Sequence, residues 1–126
     1  LESDDELRRL RVSLHEAEQN VLRAREAERK SAEDTKMARA DLAAFKAADT
    51  CAGSDAVSAA KAAEVRLLAM EGALAEFRTA LAEAEARAAE AEATTAEAEA
   101  RAAAAVATAE EAREAHESDI FAANEA

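Results

Sequence analysis

The residues able to do chemistry in this chain are few and scattered. Cys51 is its single thiol, and His15 and His116 are its only imidazoles. A reactive or disulfide-forming cysteine needs a cation beside it to hold the thiolate. No Lys, Arg or His adjoins Cys51, so it reads as a small tolerated residue rather than a nucleophile or a tip-to-tip cross-link. Neither histidine has a second His or Cys at ligand spacing, so no metal centre is expected. Ser, His and Asp all occur, but nothing in the pattern builds a concave pocket around them. No catalytic residues, no cofactor and no small-molecule substrate are expected. Glu83, Glu85, Glu90, Glu92, Glu97 and Glu99 could draw a cation or a basic partner. They lack the glycine turns and clustered aspartates of a calcium loop, and read as a solvated face.

The elements that carry these residues must be helices. Of 126 residues, 41 are Ala, two are Gly, and none is Pro, Trp or Tyr. Sheets and mixed folds need turn chemistry that is missing here. Ala, Glu, Arg, Leu and Lys are the strongest helix formers. At this length the chain is at most one modest domain. Its formal charge of −12 opposes binding to nucleic acid or to an anionic membrane surface. No apolar run approaches the ~18–20 residues of a membrane span. No signal peptide is visible, and the lone cysteine fits a reducing, cytoplasmic compartment. The opening Leu1 in place of Met is what a piece of a longer protein would show.

Two stripes run along the chain with alternating steps of three and four. The first is Leu7, Leu10, Leu14, Ala17, Val21, Ala24, Glu28, Ser31, Thr35, Ala38, Leu42 and Phe45. The second contains Ala60, Ala63, Leu67, Met70, Leu74, Phe77 and Leu81, then continues almost wholly as alanine to Ala112. Each is the a/d seam of a heptad repeat, made to face another helix. The string AEAEARAA recurs at 82–89 and 96–103, a spacing of two heptads. Ser3, Asp4, Asp5 and Glu6 form a capping box that should open the first helix. Gly53, with Ser54 and Asp55, can end one helix and cap the next. The expected organisation is a first helix over 3–51 and a turn over 52–55. A second helix follows over 56–117, and 118–126 is a helix end or a junction.

The fold expected is all-α, an antiparallel two-helix hairpin turning near Gly53. The second stripe is four residues out of phase with the first, so a positions face d positions when partner numbers sum to 105. Phe45 then meets Ala60, Leu42 meets Ala63, Ala38 meets Leu67, and Leu7 meets Ala98. Eleven of the twelve layers place a large side chain opposite a smaller or polar one, which keeps the core even. The flanks agree: Arg11 falls near Glu99, Arg25 near Glu85, Arg39 near Glu71, and Lys46 near Glu64. On the other side Glu6 falls near Arg101 and Asp41 near Arg66. The alternative is one long helix in a parallel homodimer, with a stutter near residues 49–60. Its flanking charges also match, but it would stack Glu28 on Glu28 and then run nine successive layers, from Ala84 to Ala112, with no large residue.

Several apolar residues lie off the seam. Met37 and Leu68 fall at one level of the hairpin register, and Val65 is one turn from Leu68. Together they form a candidate partner patch, with Ile120 and Phe121 as a second candidate contact near the other end. The helix from Ala102 onward outruns its partner and has little to bury alone.

The heptads, the Glu/Arg/Ala bias, and the segments LRRLR at 7–11 and AEAEARAA resemble long alanine-rich coiled-coil structural proteins. The kinds meant are tropomyosin-like rods and flagellar or basal-body cytoskeletal proteins. The resemblance spans nearly the whole chain, implies scaffolding, and carries over no functional residue. The expected function is therefore that of a non-enzymatic structural coiled coil. It would serve as spacer, arm or assembly interface in a larger complex or cytoskeletal scaffold, through protein partners or self-association. Two other uses share the pattern: a parallel homodimeric rod in a filament or centriole-like scaffold, and a coiled-coil arm inserted in a larger ATPase or synthetase.

Overall fold

The computed structural model describes residues 2–48 and 54–125. They form two helices, α1 (Glu2–Ala48) and α2 (Ser54–Glu125), packed against each other as an all-α helical hairpin. Gly53 and Cys51, at the expected turn, lie outside the described residues. Among the described residues there is no cis peptide and no positive φ. Among them, too, no helix is long and apolar enough to cross a membrane.

The boundaries differ from expectation at both helix starts. Ser3 lies inside α1 rather than capping it, and Glu6 reaches across to Arg101 instead of back to the helix start. The first turn keeps Glu2, Asp4 and Asp5, whose charge suits the positive end of the helix dipole. Ser54 and Asp55 are already helical, so α2 begins two residues before the expected 56. At the far end α2 continues through 118–125 without a break. That segment holds neither Gly nor Pro, so nothing in it stops a helix.

The chain divides into two compact units, Ala17–Ala88 and Leu1–Glu16 with Ala89–Ala126. In Ala17–Ala88 the helices run antiparallel: Arg25 forms an ion pair with Glu85, Arg39 with Glu71, and Lys46 with Glu64. Val21, Thr35 and Leu42 of α1 and Ala60 and Leu74 of α2 are buried there. Leu67, Met70 and Leu81 are half-buried. In the other unit Leu7, Thr95 and Ala98 are buried, and Leu10 and Leu14 half-buried. Arg11 bonds Glu99 at 3.3 Å, and Arg101 lies 3.7 Å from Glu6. Past the half-buried Ala102, every described residue from 103 to 125 is exposed.

In each unit the cross-helix ion pairs fall where the register in which facing a and d residues sum to 105 puts them. Small residues opposite large ones let the helices approach closely, as even packing requires. The buried apolar side chains are few, each contributing ~1.5–3 kcal/mol. The fold is thus held by a narrow seam rather than a thick core.

Candidate interaction surface

A two-helix seam has two flanks, and in Ala17–Ala88 they are built differently. One flank is lined by the e positions of both helices. Its ion pairs are Arg25 with Glu85 at 3.9 Å, Arg39 with Glu71 at 3.2 Å, and Lys46 with Glu64 at 3.1 Å. A fourth e residue, Arg78, stands opposite Ala32 and so finds no acid across the seam. It takes its partner from the seam itself: the Arg78 Nε donates to the Glu28 carboxylate at 3.3 Å. Glu28, an a-position acid facing Phe77, is thereby drawn out to the e flank and neutralised.

The opposite flank carries g positions: Ala27, Asp34 and Asp41 on α1, and Arg66, Ala73 and Ala80 on α2. The alanines leave this side low. Two open depressions of about 250 and 360 Å3 share Asp34 and Met70 and form one continuous trough. Met37, Phe45, Met70 and Phe77 supply its apolar floor and walls, with Lys30, Asp34, Asp41 and Arg66 at its edges. Asp41 and Arg66, expected to pair, border the trough instead of closing on each other.

Phe45 and Phe77 correct the seam expectation. They are 48 % and 39 % exposed and line the trough rather than filling the core. Two helices offer only two walls, too few to enclose a phenyl ring. With the Glu28 carboxylate on the e side, the Phe77 ring lies to the g side. The other seam residues are buried or half-buried: Leu7, Leu10, Leu14, Val21, Leu42, Leu67, Met70, Leu74 and Leu81.

The structure does not gather the candidate patch. Met37 occupies a c position and lines the trough. Val65 and Leu68 occupy f and b positions, on the back and e side of α2, and each is 68 % exposed. Register fixed their common height but not the side each one faces. Ile120 and Phe121 are exposed near the end of α2.

On the outer face of α1, Arg29 bonds both Glu26 and Glu33. The Arg29 hydrogen bond and charge hold the Glu26 carboxyl below its ordinary value, and Glu26 in turn raises Arg29. These are exposed supports within one helix. Among the described residues no three His, Cys, Asp or Glu side chains gather where they could hold a metal ion. Comparison with protein-family models, with curated proteins and with solved structures finds no match.

Proposed function

We propose that this chain is a non-enzymatic structural coiled coil, serving as an arm, spacer or assembly interface in a larger protein complex or cytoskeletal scaffold. The observation that supports this is the self-sufficient pairing of the helices within one chain. The Thr95 hydroxyl lies 3.5 Å from the Leu10 carbonyl oxygen, and Arg11 closes on Glu99 beside them. A helix pair that supplies its own partner needs no second chain to stand, so its outer faces are free to contact other proteins.

The test is a Leu10→Cys, Thr95→Cys chain in a Cys51→Ser background. Under mild oxidation at high dilution it should form an intrachain disulfide rapidly. Exclusively interchain products joining position 10 to position 10 would make the chain a parallel rod and overturn the reading.

A further inference from the structure

We propose that the g-flank trough of residues 27–77 is the seat of a second copy of this chain, giving an antiparallel four-helix assembly. This rests on the reading of the chain as an assembly module and names its partner. The trough holds the largest exposed side chains near the seam: Met37 at 66 %, Phe45 at 48 % and Phe77 at 39 %. Its edges carry both signs of charge, and among the described residues none of Asp34, Asp41 and Arg66 closes an ion pair within the chain.

The charges are complementary to themselves. Two hairpins laid trough to trough about a two-fold axis along the helices place α1 of each against α2 of the other, running oppositely. The register then repeats that of the hairpin. Asp41 comes level with Arg66 of the second copy, and Lys30 with its Glu76. Each pair occurs twice by symmetry. Met37 comes close to Met70 of the second copy, and Ala73, one turn from that level, leaves room for it.

Net charge permits the approach at this place. Residues 27–77 hold nine acids and seven bases, whereas 78–126 hold twelve acids and four. Repulsion between like copies is therefore concentrated away from the trough.

Sedimentation equilibrium on the full chain, under reducing conditions, tests this over a concentration series. The expected species is two chains. Met37→Glu, at a side chain that buries little within the chain, should weaken association at least about tenfold with helicity unchanged by circular dichroism. Arg66→Asp alone sets like charges together twice and should weaken it about tenfold. Adding Asp41→Arg restores the complement and should recover the dimer. A chain that stays monomeric throughout leaves the trough to a different protein and overturns the proposal, as does association that neither substitution moves. In both cases the intrachain disulfide between positions 10 and 95 still forms if the arm reading holds, so the two can fail separately.

Discussion

Thr35 is the most deeply buried side chain among the described residues, 1 % exposed, and its hydroxyl donates to the Ser31 carbonyl at 2.8 Å. Thr95, 4 % exposed, donates in the same way to the Ala91 carbonyl at 2.7 Å. A threonine in a helix can satisfy its own hydroxyl one turn back, so a polar seam position need leave no unpaired group. The seam tolerates these layers but does not tolerate a missing large one. Leu74, 4 % exposed, is its best-covered leucine. Leu74→Ala should cost ~2–5 kcal/mol in urea unfolding, towards the low end because so thin a seam relaxes into the gap. Gly72 lies inside α2, and a Cβ there would meet nothing within 4 Å. Gly72→Ala should therefore stabilise by ~0.5–1 kcal/mol, read in the same assay, since it removes only backbone freedom.

At the scale of the helix pair, register rests on charges that are individually weak. Arg39 and Glu71 are 3.2 Å apart but 57 % and 38 % exposed, so the pair contributes only ~0.2–1 kcal/mol. Arg39→Glu should lower stability by about that much plus the new repulsion, and adding Glu71→Arg should recover most of it. Both effects should shrink in added salt. Within α1, the Glu26 carboxyl should titrate below 4.5 by NMR because Arg29 favours its ionised form, and Arg29→Gln should return it towards that value. Its support of the helix is present above the ordinary glutamate value and fades as pH falls through the lowered one.

Much of this pairing was legible in the residues. The heptad phase and the sum of 105 located all four e-flank pairs expected and the pair of Glu6 with Arg101. The link of Glu28 to Arg78 was not legible, because it depends on a seam side chain turning towards a cation that Ala32 leaves without a mate. The trough was missed for a related reason. Height along a hairpin follows from counting, but the side a residue faces follows from its heptad letter. Met37 and Leu68 share the first and differ in the second.

For the whole chain, burial and length are mismatched. Val106, Ile120 and Phe121 are 58 %, 47 % and 66 % exposed, and α2 still runs to Glu125. A chain ending at residue 102 should melt within a few degrees of the intact one by circular dichroism, since the deleted segment buries little. A large fall would mean that the segment supports its own fold.

The repeated octapeptide has a consequence for how such a protein can change size. Glu85 and Arg87 stand fourteen residues ahead of Glu99 and Arg101, which are the partners of Arg11 and Glu6. An insertion or loss of one such block presents the same two side chains to whatever lies opposite, displaced by about 21 Å of helix. Reach can thus be retuned in whole modules by ordinary duplication, with the chemistry of each rung kept intact.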